Sequence, residues 1–314
     1  MLPRSLQINH FPRLLLPHRL QLPAHRSFAS RTTSMPLYSQ SNVSEKVIRP
    51  SYSAENLPPT FLVPLPAIEA SKRLAAYTAV DQHVRPEHKV IGIGSGSTVP
   101  YLVERIVQQG KAVNKGRVFV PTGFQSKELI VSSGLTLGDI DQYPTIDVTL
   151  DGADEVDRLL NCIKGGGACH LREKVLAEAA KTFILVADYR KNVEFLGTNF
   201  EPGVPIEVVP FAYAKVLKNL HDVIGSPKAS LRMAVRKAGP VVTDNGNFVI
   251  DAPFDREHMI EPFKTMAKIK MLTGVVEVGL FCHLAQVAYF GNEDGSVTIK
   301  KNDGSVEQLP SANQ

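Results

Sequence analysis

Read for its alternation of apolar and polar positions, the chain changes character near residue 66. From there, short apolar runs alternate with longer stretches of helical period. "AIEASKRLAAYTAVDQHV" (67–84) predicts a helix. "KVIGIG" (89–94) is an apolar run closing on glycines, as a strand buried on both faces reads. The helix predicted next can be capped by Ser97 or Thr98, carries Pro100 in its first turn and stops at Gly110. "RVFVP" (117–121) predicts another strand. In "TGFQSKELIVSSG" a capping-box pairing of Thr122 with Gln125 opens a helix that Gly134 ends. "IDVTLDGAD" (146–154) and "TFILVAD" (182–188) predict two further strands, each ending in an acid. Strands alternating with helices predict an α/β fold: a doubly wound, Rossmann-like parallel sheet.

The rhythm changes near Pro202. "VPIEVVP", a helix near 211–221, "ASLRMAV", a hairpin-like "VVTDNGNFVIDAPF" turning at Asn245-Gly246, a helix near 261–272 and "GVVEVGLF" follow. Two helices among mostly antiparallel strands predict a smaller α+β lid domain. "QVAYFGNEDGSVTIKK" predicts a hairpin returning to the first sheet. The expected organisation is a basic leader and linker without fixed structure over 1–60, a catalytic domain over 61–203, the lid over 204–273 and returning strands over 274–314.

Composition sharpens this picture at one point. The 314 residues carry a net charge of +4, but residues 1–44 hold five arginines (Arg4, Arg13, Arg19, Arg26, Arg31) and no acid. Without them 30 basic residues face 31 acidic ones, so the body is near neutral, which argues against a nucleic-acid-binding face. The leader, rich in Leu, Pro, Ser and His as well, fits either a mitochondrial presequence or a plain extension, with Met35 a second candidate start. No run reaches the roughly 18 apolar residues of a membrane span. Cys162, Cys169 and Cys282 have no metal-type spacing and form no even disulfide set; each is expected to be a small buried apolar residue, in keeping with a cytoplasmic protein.

Four motifs bear chemistry. "GIGSGST" (92–98) joins a strand to a helix and offers backbone N–H groups to an anion. It is no dinucleotide fingerprint: Ser97 stands where the third glycine is needed, and "VFVPTG" lacks the following acid. Nor does it hold the lysine of a Walker loop. Ser95, Ser97 and Thr98 beside Gly96 suit a phosphate monoester, or else simply a tight turn with a helix cap. "DGADEVD" (151–157) packs four carboxylates at a strand end, where ligands of open parallel sheets bind. Asp151 and Asp154 are candidates for gripping a polyol, with Asp157 expected to face solvent; the spacing is not that of an EF-hand. "KGGGACHLREK" (164–174) adds glycines that allow close backbone approach, the cation of Lys164, and Glu173 in the first helical turns, where it either complements the helix dipole or does chemistry. His170 and Glu173 could share a metal, but no third ligand is in sight, and His170 is expected to partner backbone or water. "VADYRKN" (186–192) ends a strand at the same sheet edge and offers Arg190 and Lys191 to an anion.

In this order, "GIGSGST", "DGADEVD", "KGGGACHLREK" and "VADYRK" resemble ribose-5-phosphate isomerase of the A type, and "LRMAVRKAGPVVTDNGNF" and "TGVVEVGLF" extend the likeness over roughly residues 67–300. The resemblance implies an aldose–ketose isomerase of the non-oxidative pentose phosphate pathway, interconverting ribose 5-phosphate and ribulose 5-phosphate through a cis-enediol(ate). It implies that Ser95, Gly96, Ser97 and Thr98 line the substrate site with Asp151, Gly152, Ala153, Asp154, Lys164, Gly165, Gly166 and Gly167. Glu173 is implied as the base moving a proton between C2 and C1, and Lys191 as a substrate contact. Lys72, in "ASKR", matches a lysine that helps bind phosphate. Asp151 and Asp154 would position hydroxyls and assist ring opening, and Lys164 or the glycine N–H groups would stabilise the oxyanion. The segment "GGGACHLRE" departs from relatives with smaller or hydroxyl residues before Arg-Glu, which touches His170 and not the base. Neither metal nor organic cofactor is implied; the partner is a small sugar phosphate, with no nucleic acid or membrane, and the assembly a homodimer or homotetramer. A base of this kind needs a pKa near working pH, so Glu173 is expected deep in a cleft, facing the acid cluster. Two competing readings are a sugar-phosphate deaminase of related fold and a non-catalytic sugar-phosphate sensor; the second lacks a recognisable DNA-binding module, and the order of "DGADE" and "KGGG" favours the isomerase over the first.

Overall fold

Small residues bring the first helix down onto the sheet. Helix α1 (Ala67–His83) buries Ser71, Ala75, Ala76, Ala79 and Val80, the three- and four-residue spacing of one helical face. It belongs to a computed structural model that describes residues 65–311; the Arg-rich leader and Met35 lie outside the described residues. Strand β1 (Val90–Ile93), helices α2 (Val99–Gln108) and α3 (Lys111–Asn114), strand β2 (Val118–Pro121), helix α4 (Phe124–Ser132) and strand β3 (Ile146–Asp151) follow. Two short strands, β4 (Glu155–Val156) and β5 (Cys162–Ile163), precede helix α5 (His170–Ala179) and strand β6 (Ala180–Asp188). The next section comprises β7 (Val204–Val208), α6 (Tyr213–Asn219), β8 (Ser230–Leu231), β9 (Phe248–Ala252), α7 (Arg256–Met259) and α8 (Pro262–Lys270). It is followed by β10 (Val275–Val278), β11 (Leu280–Phe281), β12 (Val287–Gly291), β13 (Val297–Lys301) and β14 (Val306–Leu309).

The main sheet has seven strands in the order β14-β13-β12-β6-β3-β1-β2. Pairing is parallel from β12 to β2 and antiparallel across β12, β13 and β14. Residues of β6 alternate between two cores: Ile184 and Val186 pack with α1 and α2, while Phe183, Leu185 and Ala187 pack with Phe281 and Phe290. Burial on both faces is why this strand reads as an unbroken apolar run. From β1 the chain steps outward to β2 and then crosses back to β3 on the other side of β1. This reversal opens a crevice beyond the carboxyl ends of β1 and β3, where "GIGSGST" and "DGAD" begin.

A second, antiparallel sheet runs β10-β7-β9-β8, packed against α6 and α8 through Val208, Val216, Ile250 and Ile269. Its core continues through Val278 to Ile163 and Leu280 of the small β11-β5-β4 sheet. Strand β10 therefore still pairs with β7, and the chain rejoins the main sheet only at β12, later than the expected change at residue 274.

Several local expectations are corrected. Thr122 and Gln125 form no capping box. Thr122 Oγ1 bonds Ser95 Oγ at 2.6 Å and Gln125 Oε1 accepts from Gly96 N at 2.8 Å, while Gly123 N meets Ser126 Oγ at 3.2 Å to open α4. "ASLRMAV" gives only a two-residue strand, because Met233 and Val235 have nothing to pack on and are exposed. In the Asn245-Gly246 turn only the second arm is a strand; Thr243, Asn245 and Asn247 instead donate to the buried Glu207 carboxylate. The helix near 211–221 is three pieces: a 3-10 turn at Pro210–Ala212, α6, and a π turn at Leu220–Ile224. Asp157 does not face solvent: it is buried, and its carboxylate accepts from the backbone N–H of Leu159 and Asn161 and the Asn161 side chain.

Glu155 is also fully buried, and its two oxygens accept the backbone N–H groups of Gly197, Thr198, Asn199 and Phe200. Glu155→Ala leaves four amides without an acceptor and is expected to lower unfolding free energy by on the order of 3 kcal/mol in urea titration. A change below about 0.5 kcal/mol would show that the carboxylate does not hold this loop.

Candidate active site

Four loops meet at the crevice, and the first two are joined by one carboxylate. Asp151, at the end of β3, is fully buried; its Oδ1 accepts from Ser95 N at 2.9 Å and Gly152 N at 2.7 Å. A Cβ on Gly94 would stand 1.9 Å from that same oxygen, so only glycine lets the β1 loop come so close. Gln125 and Thr122 brace the loop from its other side, through the contacts that replaced the expected cap. Thr98 leads into α2, with Pro100 in the first turn.

The third loop enters through Lys164. Its ammonium, buried at 2 % exposure, lies 3.0 Å from Asp151 Oδ2 and 3.3 Å from Glu173 Oε1 and donates to Gly152 O at 2.6 Å. Burial opposes the charge, but the two carboxylates outweigh it and hold the ammonium protonated. The glycines that follow have close neighbours: a Cβ on Gly165 (φ +110°) would meet His170 Nδ1 at 2.6 Å and one on Gly166 would meet Asp154 Oδ1 at 2.6 Å. Gly166 N donates to Asp154 Oδ2 at 2.8 Å. His170 is fully buried beneath this loop, with Nε2 3.4 Å from Glu277 O; burial first, then Lys174, lowers its pKa to about 3, so the ring is neutral.

Glu173 lies in the first turn of α5 and is 4 % exposed. Oε1 faces Lys164 and accepts from the Cys169 thiol at 3.4 Å, while Oε2 is buried with no hydrogen-bond partner among the described residues. A helix N-terminus favours an anion. Burial and the charge of Asp151 outweigh that and the pull of Lys164, raising the pKa to about 8. The carboxyl group is thus deep and faces the acids, as a base working near neutrality requires.

Strand β6 supplies the fourth loop. Ser95, Gly96, Ser97, Thr98, Gly152, Ala153, Asp154, Lys164, Gly165, Gly166, Gly167, Glu173, Ala187, Asp188 and Lys191 line one cleft of about 140 Å³. Asp151 lies beneath this lining rather than in it. Arg190 turns back to Asp188 at 2.7 Å and is not on the lining. Burial would raise Asp188, but the Arg190 guanidinium holds its carboxyl below the usual range. Lys72 also lies off the lining, its ammonium 2.7 Å from Glu69, which Tyr101 bonds in turn.

Sequence reasoning missed three contributors. Asp188 was visible as the acid ending a strand. Lys174, next to the buried glutamate, anchors α5 to the second sheet by donating to Glu277 Oε1 at 2.8 Å and Val278 O at 2.6 Å. Arg232 donates to Gly165 O at 2.9 Å and Gly166 O at 3.1 Å while paired with Asp251, clamping the glycine loop from the second sheet. No local pattern announces either contact, since the partners stand far apart in the chain.

Known proteins share the sequence and fold of this chain. The family model described as Ribose 5-phosphate isomerase A (phosphoriboisomerase A) matches residues 118–295. A ribose-5-phosphate isomerase of Cryptococcus neoformans is 67% identical over 269 residues, covering 83% of this chain and 89% of that protein. The human ribose-5-phosphate isomerase is 49% identical over 233 residues, 74% of each chain. Among solved structures, a D-ribose-5-phosphate isomerase in complex with phospho-erythronic acid superposes with a TM-score of 0.67 at 37% identity, covering 77% of this chain and 99% of that one.

Arg232→Met should free the carbonyls of Gly165 and Gly166 and loosen the cleft. The expected result is a loss of roughly 10-fold or more in kcat/KM, in line with the cost of misplacing reacting groups, with the fold retained by circular dichroism. Unchanged steady-state kinetics would show that the clamp does not shape the cleft.

Proposed function

The chain belongs to the ribose 5-phosphate isomerase A family, and from that premise we propose that Glu173 is the base of its reaction, working from the cleft just described. The protein is an aldose–ketose isomerase interconverting D-ribose 5-phosphate and D-ribulose 5-phosphate. Identities of 49–67% to named isomerases leave the deaminase and sensor readings without support.

In the aldose direction, the Glu173 carboxylate takes the C2 proton of the open-chain sugar. The electron pair moves into the C1–C2 bond and the carbonyl π pair onto O1, giving a cis-enediolate. O1 gains a proton, O2 loses one, and the Glu173 carboxyl group delivers its proton to C1 as the C2 carbonyl forms. The observation that carries this role is the position of the carboxyl group: it belongs to a buried residue of the cleft lining, and its Oε2 has no hydrogen-bond partner among the described residues. Lys164 donates to Gly152 O and forms ion pairs with Asp151 and Glu173. Its role is to hold the two carboxylates together, and donors for the enediolate come from the amides of Gly165 and Gly167, since that of Gly166 is taken by Asp154. Asp154, on the lining, is placed to orient sugar hydroxyls; Asp151, beneath it, acts through Lys164 and the Ser95 amide. Ser95, Ser97 and Thr98 offer neutral donors to the phosphate, with Lys191 the cation on the same lining. Lys72 would reach the phosphate only by leaving Glu69. The assembly is a homodimer or homotetramer, a reading supported by the bare apolar side chains of Phe211 and Val235.

Glu173→Gln should lower kcat by about 10²–10⁴-fold, the usual share of general acid–base catalysis, with KM little changed, in a direct assay of pentose-phosphate interconversion. Turnover close to wild type would remove the assignment. A carboxyl group with raised pKa is protonated below that pKa and cannot accept a proton there. In wild type, kcat/KM should therefore fall about tenfold per unit as pH drops below the value near 8, and a flat profile between pH of about 6 and 9 would contradict Glu173 as the titrating base.

A further inference from the structure

We propose that Cys169 is a positioning residue for Glu173: its thiol, together with Lys164, holds Oε1 so that Oε2 is the oxygen that carries the proton. The inference rests on the reading of Glu173 as the base. A carboxylate turns easily about its last side-chain bond, whose energy profile is broad and two-fold. Left unrestrained, it would present either oxygen to the sugar. Here both donors fall on one oxygen: Cys169 Sγ is 3.4 Å and Lys164 Nζ 3.3 Å from Oε1, and Oε2 has no partner among the described residues.

The geometry around the sulfur fits this role. Cys169 immediately precedes α5, and its carbonyl accepts the Glu173 N–H at 3.0 Å, so one residue fixes both the backbone and the head group of the glutamate. The side chain is 7 % exposed and wedged between loops: a Cβ on Gly123 would lie 3.4 Å from Cys169 Cβ and 3.6 Å from Ser95 Oγ, and one on Gly167 3.6 Å from Sγ. Burial, then the charge of Glu173, pushes the thiol well above its ordinary range, so it stays a neutral S–H and the bond has one direction, sulfur to carboxylate. The groups facing Glu173 are Asp151, Asp154, Lys164 and Cys169. Among them the thiol is the weak donor. It can orient the carboxylate while lowering its proton affinity less than a second cation would. Lys164 alone cannot do this, because its ammonium is shared with Asp151 and Gly152 O.

The test compares wild type, Cys169→Ala, Cys169→Ser and Glu173→Gln by kcat, KM and the pH dependence of kcat/KM with ribose 5-phosphate as substrate. Cys169→Ala should lower kcat roughly 3- to 10-fold, the worth of one hydrogen bond, with KM within about twofold of wild type. Because the thiol bond favours the ionised carboxylate, its loss should move the acidic limb of the profile upward, by as much as about one pH unit. Cys169→Ser, which keeps a stronger donor, should return kcat to within about twofold of wild type and bring the limb below its original position. If Ala and Ser behave alike, or if neither moves the limb while Glu173→Gln is inactive, the thiol only fills space and the inference is overturned. An active Glu173→Gln would instead remove the base on which the inference rests. Should Cys169→Ala fail to fold, Cys169→Ser decides alone: the stronger hydroxyl donor must lower the limb, and an unmoved limb rejects the role.

Discussion

One buried ammonium ties the catalytic edge of this protein together. Lys164 reaches a carboxylate at the end of a main-sheet strand, a carbonyl of the loop after it, and a carboxylate on the helix that follows its own loop. Two acids and one cation out of water are individually costly, and removing one member would leave the others uncompensated. The triad forces its three segments to stay in register, and it sets the imbalance that matters chemically. Asp151 has two amides as well as the ammonium, whereas Glu173 has the ammonium and a thiol. Burial pushes both acids up, and the one with fewer hydrogen-bond donors is left close to the point of gaining a proton.

The four acids of "DGADEVD" show how neighbours in sequence diverge in space. Asp151 binds the first glycine loop and Lys164, Asp154 meets the cleft and an amide of the second glycine loop, Glu155 gathers four amides of the 197–200 segment, and Asp157 closes its own turn. Only one of the four touches the cleft lining. A cluster of charge in the sequence is here mainly a set of backbone acceptors, consistent with the rule that buried carboxylates must be hydrogen-bonded.

What could be read beforehand follows from how local each signal is. The parallel sheet was legible because burial on both faces leaves unbroken apolar runs, as in residues 182–188, and because the loops at strand ends carry their own glycines and hydroxyls. The convergence of Ser95, Asp154 and Lys191 was legible through sheet topology, since they follow the carboxyl ends of parallel strands, whereas Lys164 and Glu173 follow the short antiparallel β5 and were marked by the glycines between them. The capping box at Thr122 failed because a tertiary partner, Ser95, competes for the same hydroxyl. Arg190 failed because the nearest acid, two residues away, satisfies it first. The links from Lys174 to Glu277 and from Arg232 to the glycine loop span different sheets and leave no periodic trace.

The Arg232 contact also bears on how small such a catalyst can be made. The stretch from Val204 to Val278 looks detachable, a separate antiparallel sheet inserted between strands of the main one. Yet it delivers a guanidinium to two peptide oxygens that the shortened chain would have no means of satisfying. Miniaturisation by excising this segment would have to replace that fork with another donor of the same reach.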